Sequence, residues 1–135
     1  MTKGKILIID DDPDIALATR LYLENAGYAV IEARNSADGL AMVKAEEPDL
    51  IVLDVMMETT TEGFQTALTL RSPDKNSEYA KYRDIPIIMF TSIHETTPVR
   101  FGPDDDYLPV DAFVDKPIDP DTFLVRVEKL LAKRG

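Results

Sequence analysis

The chain has 135 residues, of which 44% are apolar and 30% are charged, and this size and balance are typical of one globular domain rather than a disordered tail or a coiled coil. Aspartate and glutamate total 25 against 15 lysines and arginines, and the net charge of −10 argues against binding to nucleic acid or to an anionic membrane. No cysteine is present, which excludes disulfides, thiolate metal sites and a cysteine nucleophile.

The first predicted elements are a strand and a helix. Ile6–Ile9 is a short apolar run rich in isoleucine, which is typical of a strand buried on both faces. Asp12 and Pro13 predict the N-cap and the first turn of a helix that ends near Gly27. The helical spacing predicts a buried face made of Ile15, Ala18, Leu21 and Tyr22.

The next elements repeat this order. Ala29–Glu32 predicts a weaker strand of the kind found at a sheet edge. Ser36 begins a predicted helix that is expected to bury Leu40 and Val43. Leu50–Leu53 is a second strongly apolar run and predicts another buried strand.

A polar insertion then interrupts the alternation of strands and helices. Residues 63–71 predict a short helix, but residues 72–83 are polar except for a few positions that include Tyr79 and Tyr82. We expect these two tyrosines to cover the core of the domain rather than to bind a partner. Ile85–Phe90 predicts the next buried strand.

The last third of the chain contains an irregular segment and the clearest helix. Three prolines and a glycine oppose a regular helix over residues 93–110, so this fourth helical region is expected to be irregular. Ala112–Val114 predicts a second edge strand. Asp119 and Pro120 predict the cap and first turn of a final helix. Its apolar face is expected to contain Phe123, Leu124, Val127, Leu130 and Leu131.

Strands that alternate with helices are expected to run parallel and to be joined by right-handed crossovers. The sequence therefore predicts an α/β fold in three layers, with a doubly wound parallel sheet between two layers of helices. Ligands of such sheets bind beyond the carboxyl ends of the strands. The residues that follow the predicted strands are therefore the candidates for a functional site.

Acidic and polar residues follow these strands. Neighbouring carboxylates repel one another unless a cation joins them, and Mg²⁺ prefers oxygen ligands while leaving positions open for phosphate oxygens. Lys116 and Thr91 can then bind a phosphoryl group, and the Asp54 carboxylate can attack phosphorus to form an acyl phosphate. The candidate residues are, in chain order, Asp10, Asp11, Asp54, Thr91 and Lys116.

Four motifs resemble those of the receiver domain of two-component response regulators, and the resemblance covers the whole chain. They are ILIIDDDP at 6–13, PDLIVLDVMM at 48–57, FTS at 90–92 and DKP at 115–117. Each motif is weak alone, but all four in this order are specific. The resemblance implies a five-stranded parallel sheet in the order 2-1-3-4-5, which is a flavodoxin-like fold.

The resemblance also implies a metal site. Asp54 is the phosphoacceptor of the family, and Asp10 and Asp11 correspond to its acidic pair. Together with Asp54 and the backbone carbonyl of Met56, this pair is expected to bind Mg²⁺ as the cofactor.

Three further roles follow from the same resemblance. Thr91 corresponds to the switch hydroxyl, Lys116 to the phosphate-binding lysine and Phe113 to the switch aromatic. The expected partner is a sensor histidine kinase or a histidine phosphotransfer protein, and phosphorylation is expected to change binding to a downstream protein. The catalytic activity implied is limited to the domain's own phosphorylation and dephosphorylation.

Two other classes of function fit these motifs less well. A pseudo-receiver keeps the fold and binds partners without phosphorylation, but such proteins typically lose an acidic residue or the lysine, and all of these are present here. A magnesium-dependent phosphohydrolase with an aspartyl nucleophile carries a second aspartate two residues after the first, where this chain has Met56.

The ends of the chain carry the remaining expectations. The basic start is followed only by the short run Ile6–Ile9, and no stretch approaches the roughly 18 apolar residues of a membrane helix. We therefore expect a cytoplasmic protein. The last predicted helix reaches almost to Gly135, so we expect a single receiver domain over residues 1–135 with no effector domain.

Overall fold

The computed structural model describes residues 4–54, 69–70, 78–82, 84–91, 112–115 and 119–134. The described strands are β1 (Lys5–Ile9), β2 (Ala29–Ala33), β3 (Leu50–Asp54), β4 (Ile87–Thr91) and β5 (Ala112–Asp115). The described helices are α1 (Pro13–Asn25), α2 (Ser36–Glu46), α3 (Pro120–Arg134) and a 3₁₀ turn at Ala80–Tyr82. Of the helix predicted over residues 63–71, Thr69 and Leu70 are described, and both are helical.

The five strands form one parallel sheet in the order β2-β1-β3-β4-β5. This order confirms the predicted flavodoxin-like fold, and the two weaker apolar runs lie at the edges as expected. Alternate residues of β1 face opposite sides of the sheet. Ile6 and Ile8 pack in a core with α1 and α3, whereas Leu7 and Ile9 pack in a second core with α2. The sheet therefore lies between two layers of helices.

Helix α1 begins and ends as predicted, but its buried face was predicted wrongly. The Asp12 side chain caps the helix by accepting hydrogen bonds from the amides of Asp14 and Ile15. Leu21, which was expected to be buried, is 48% exposed. The residues that α1 buries are Ala16, Thr19 and Leu23.

The buried face of α1 includes one polar residue, Thr19. Its hydroxyl donates a hydrogen bond to the carbonyl oxygen of Ile15 at 2.8 Å, so the polar group is satisfied within the helix. A threonine satisfied in this way can be buried at little cost. An assignment of the core face from apolar residues alone therefore misses one of the three residues that α1 buries.

Helix α3 agrees with the prediction in both its start and its buried face. The amide of Phe123 donates to the carbonyl oxygen of Asp119 at 3.0 Å, which makes Asp119 the first residue of the hydrogen-bonded turn. Phe123 and Val127 are fully buried. Leu124, Leu130 and Leu131 are partly buried against the same core.

The described part of the insertion packs on α2. Tyr82 is buried in the core shared with α2, and Tyr79 is partly buried against it, which confirms that both tyrosines cover the domain's own core. Lys44 of α2 pairs with Glu78 and lies 4.9 Å from the ring centroid of Tyr79. The irregular region predicted over residues 93–110 lies outside the described residues. No helix among the described residues is long and apolar enough to cross a membrane.

Glu47 ends α2 in a strained backbone conformation, and this leads to a stability prediction. Its φ of 47° and ψ of 63° lie in the left-handed region, which favours glycine. Glu47→Gly should raise the free energy of unfolding by about 0.5–1 kcal/mol, because the strain relieved exceeds the chain entropy that glycine adds. Urea unfolding measures the change.

Glu47→Ala is the matched control for this prediction. It removes the contact of Glu47 with Lys81, a mostly exposed pair at 3.9 Å that contributes little, but it keeps the Cβ and the strain. Alanine should therefore give no gain in stability. A glycine variant less stable than the wild type would show that the strain is not released.

Candidate functional site

The neighbouring strands β1 and β3 end side by side, and their carboxyl ends form one edge of the sheet that runs across the strands. Ile9 of β1 pairs with Leu53 of β3, so Asp10 and Asp54, which follow them, occupy neighbouring positions. Hydrogen-bonded strands lie about 4.8 Å apart, so the two backbones are close there. Asp54 is the last residue of β3 and pairs with Phe90 of β4. The fold therefore brings together the predicted site residues of β1 and β3.

Asp10 is held firmly at this edge. It is only 1% exposed, and its amide donates to the carbonyl oxygen of Ala33 at 3.0 Å. Its Oδ1 atom accepts a hydrogen bond from the amide of Asp12 at 2.9 Å. Burial of a carboxylate costs free energy unless hydrogen bonds or a cation stabilise its charge. The position of Asp10 is therefore that of a constrained acidic group beside the end of β3.

Asp11 and Asp12 have different environments. Asp11 is exposed and lies between two residues whose positions are fixed. The Oδ1 atom of Asp12 accepts from the amides of Asp14 at 2.9 Å and Ile15 at 3.4 Å, so this carboxylate is engaged in capping α1. Asp12 is therefore occupied as a helix cap, which leaves Asp10 and Asp11 as the candidates for the acidic pair.

Of the other predicted site residues, Thr91 ends β4, Phe113 lies within β5, and Met56 and Lys116 lie outside the described residues. Thr91 is the last residue of β4 and pairs with Asp115, the last residue of β5. Phe113 pairs with Met89. The described side chains do not include those of Asp54, Thr91 and Phe113.

The donors at this edge suit a hard divalent cation. The candidate ligands are the buried Asp10, the exposed Asp11 beside it, and Asp54 at the end of β3. All of them offer oxygen atoms, which are the ligands that Mg²⁺ prefers. Within the described side chains, no three His, Cys, Asp or Glu are grouped as a metal site, and the Asp54 carboxylate is not among those side chains. Asp10 and Asp11 fit Mg²⁺, with Asp54 as the expected third donor.

One residue at the site was missed by the sequence analysis. Gly39 of α2 is buried, and a Cβ built on it would lie 2.5 Å from Cδ1 and 2.8 Å from Cγ1 of Ile9. Helix α2 therefore packs directly on the residue that precedes Asp10. A glycine inside a helical pattern often has a packing reason, and that feature of the sequence could have identified it.

Comparison with known proteins agrees with this geometry. The sequence profile of the response regulator receiver domain matches residues 6–128. The DNA-binding dual master transcriptional regulator RpaA of Synechocystis sp. is 36% identical over 132 residues, which cover 96% of this chain and 49% of RpaA. Protein PilH of Pseudomonas aeruginosa is 31% identical over 132 residues, which cover 96% of this chain and 98% of PilH. The chain thus spans about half the length of RpaA and nearly all of PilH.

A solved structure gives the same result. The chain is similar to the chemotaxis response regulator CheY4 of Vibrio cholerae, with a TM-score of 0.74, 25% identity and coverage of 96% of this chain and 99% of the CheY4 chain. The strand order, the aspartates at the carboxyl ends of β1 and β3, and the extent of the sequence match are all consistent with these similarities. The chain belongs to the response regulator receiver domain family.

Proposed function

We propose that this chain is the phosphoacceptor of a two-component phosphorelay and receives a phosphoryl group on Asp54 in a Mg²⁺-dependent reaction. The observation that carries the proposal is the pairing of Ile9 with Leu53, which sets Asp10 beside Asp54 at the edge where parallel α/β sheets bind ligands. Membership of the receiver family supports the same reaction.

The proposed transfer is a substitution at phosphorus. A carboxylate oxygen of Asp54 attacks phosphorus, the bond from phosphorus to the donor histidine nitrogen breaks, and that nitrogen keeps the electron pair. The products are an acyl phosphate on Asp54 and an unmodified histidine on the donor.

The remaining site residues are proposed to stabilise the charge of the transferred group. The Lys116 ammonium acts as a point charge towards the phosphoryl oxygens, and the Thr91 hydroxyl donates a hydrogen bond to them. The proposed ligands of Mg²⁺ are the carboxylates of Asp10, Asp11 and Asp54 and the backbone carbonyl of Met56. When bound, Mg²⁺ offsets the repulsion among the carboxylates and supplies positive charge to the phosphoryl oxygens.

The proposed partners follow from this reaction. The donor is a sensor histidine kinase or a histidine phosphotransfer protein in the cytoplasm, and Thr91 and Phe113 are the proposed switch residues that change binding to a downstream protein. We propose that residues 1–135 form one receiver domain and that it acts through that protein. The DNA binding named for RpaA is not proposed for these residues, because a net charge of −10 opposes contact with a phosphate backbone.

Phosphorylation by a small phosphodonor tests the proposal. Incubation of the protein with acetyl phosphate and Mg²⁺ should add the mass of one phosphoryl group, measured by intact-protein mass spectrometry. Removal of Mg²⁺ with a chelator should abolish the addition. A protein that gains no phosphoryl group under either condition would instead support a pseudo-receiver.

The contribution of Asp10 to metal binding can be measured separately. Asp10→Asn should weaken Mg²⁺ binding, measured by isothermal titration calorimetry, by at least roughly 10–100-fold, because that is the usual loss when only a partner of a metal ligand is removed and Asp10 is itself a proposed ligand. The asparagine Oδ1 can still accept the hydrogen bond that the Asp12 amide donates to Asp10 in the wild type. The turn should therefore keep this hydrogen bond.

Asp14→Asn is the control for this measurement. Asp14 is an exposed acidic residue in the first turn of α1, two residues beyond the Asp10–Asp12 turn. Its substitution removes the same charge without touching the proposed ligands and should leave Mg²⁺ binding close to that of the wild type. Equal losses in the two variants would mean that Asp10 acts only through net charge.

A further inference from the structure

At Gly39, the backbone of helix α2 lies directly against Ile9 of β1, because glycine has no side chain. The virtual Cβ of Gly39 would lie 2.5, 2.8 and 3.3 Å from Cδ1, Cγ1 and Cγ2 of Ile9, and the first two distances are shorter than any ordinary carbon contact. Ile9 is completely buried in a packed core, so rotation of its side chain would press on the residues around it. An added methyl group at this position must therefore displace Ile9.

The turn that follows Ile9 is fixed at both of its ends. On one side, Ile9 is held by α2, and the amide of Asp10 donates to the carbonyl oxygen of Ala33 at 3.0 Å. On the other side, Asp12 is held by its hydrogen bonds to the first turn of α1. Asp11 lies between these two attachments. Displacement of Ile9 alone would therefore deform the turn rather than move it as a unit.

From this geometry we infer that Gly39 is a positioning residue for the acidic pair. The absence of a Cβ at position 39 lets Ile9 lie where the carboxylates of Asp10 and Asp11 can share one cation with β3. Mg²⁺ demands near-ideal octahedral geometry, so small displacements of its ligands weaken binding. The part of this inference that concerns Mg²⁺ rests on the proposed function.

Gly39→Ala tests the inference. This variant should bind Mg²⁺ about tenfold more weakly than the wild type, as substitutions that disturb the orientation of metal ligands do. Calorimetric titration at a temperature where the variant is folded measures the affinity. In the metal-free protein, the amide NMR signals of Asp10, Asp11 and Asp12 should also shift.

A compensating variant separates positioning from general damage to the fold. Ile9→Val removes the Cδ1 methyl, which is the atom nearest to the added Cβ, and restores the total side-chain volume. Valine keeps Cγ1, which would lie 2.8 Å from the added Cβ, so in the Gly39→Ala background Ile9→Val should restore part of the lost Mg²⁺ affinity and move the amide signals partway towards their wild-type positions.

Val43→Ala is the matched control. Val43 is fully buried on the same helix, and its truncation leaves a cavity instead of pushing on Ile9. Val43→Ala should lower stability while leaving the Mg²⁺ affinity and the amide signals of the turn unchanged.

The outcomes distinguish this inference from the proposed function. Gly39 has no positioning role if Gly39→Ala binds Mg²⁺ as tightly as the wild type, or if Val43→Ala weakens binding equally. A wild-type protein that binds no Mg²⁺ would refute the proposed function. In that case the amide signals of the metal-free variants still decide whether Gly39 positions the turn.

Discussion

Asp54→Asn should abolish phosphoryl uptake from acetyl phosphate in the presence of Mg²⁺. Asparagine has the shape of aspartate, so the end of β3 should keep its pairing with Phe90. The amide lacks the anionic oxygen that attacks phosphorus, and it also removes one negative charge from the proposed metal site. The intact mass of the variant should show no phosphoryl addition where the wild type shows one.

Asp84→Asn controls for the loss of one acidic residue. Asp84 is exposed and precedes β4, so it lies at the amino ends of the strands, opposite to the carboxyl ends where Asp10 and Asp54 lie. This variant should take up one phosphoryl group like the wild type. Phosphoryl uptake by Asp54→Asn equal to that of Asp84→Asn would show that the acceptor is another residue.

Phe90→Ala should lower the free energy of unfolding by about 3–5 kcal/mol, the usual cost of truncating a buried phenylalanine. Phe90 is 1% exposed in the core shared by α1 and α3. Its ring meets the ring of Phe123 edge to face, with centroids 5.4 Å apart and an angle of 67°. Such a pair contributes about 0.5–1.5 kcal/mol beyond the area it buries. Urea unfolding measures the loss.

This loss is large compared with the total stability of a small domain, which is typically about 5–15 kcal/mol. Phe90→Leu keeps most of the buried volume and should cost much less than alanine. A double-mutant cycle with Phe123→Leu isolates the contribution of the ring pair. An alanine variant within about 1 kcal/mol of the wild type would contradict the buried position of Phe90.

The strands and the helix caps could be predicted from the sequence because each depends on local chemistry. Runs such as Ile6–Ile9 are covered on both faces wherever they occur in a parallel sheet, and the structure places this run in β1. Asp12 caps α1 as predicted, and Asn35 caps α2 directly before the predicted start at Ser36, in both cases through hydrogen bonds that the short side chain accepts. The cap at Asp12 was predicted from two adjacent residues alone.

The face that a helix buries could not be predicted so simply, because it depends on tertiary packing. The three residues that α1 buries include Thr19, whose polar hydroxyl is bonded within the helix, and exclude Leu17, which is 54% exposed. For α2, Val43 is buried as expected, but Leu40 is only partly buried. Gly39 takes the innermost position there because β1 approaches too closely for a side chain.

The sequence was sufficient to predict which strands end in residues of the candidate site. The motifs placed acidic residues after two strands, and the pairing of Ile9 with Leu53 brings those ends together. The burial of Asp10 and its hydrogen bond with the Asp12 amide depend on the conformation of the turn, which no motif specifies. The roles of Met56 and Lys116 stay predictions from the sequence.

The most direct measurement is chemical identification of the phosphorylated residue in the wild-type protein. Borohydride reduces the acyl phosphate of an aspartate to homoserine, which proteolysis and mass spectrometry can then locate in the chain. After treatment with acetyl phosphate and Mg²⁺, we expect homoserine at position 54, and none when a chelator is present. Homoserine at position 10, 11 or 12 instead, or at no position, would contradict the assignment of Asp54 as the phosphoacceptor.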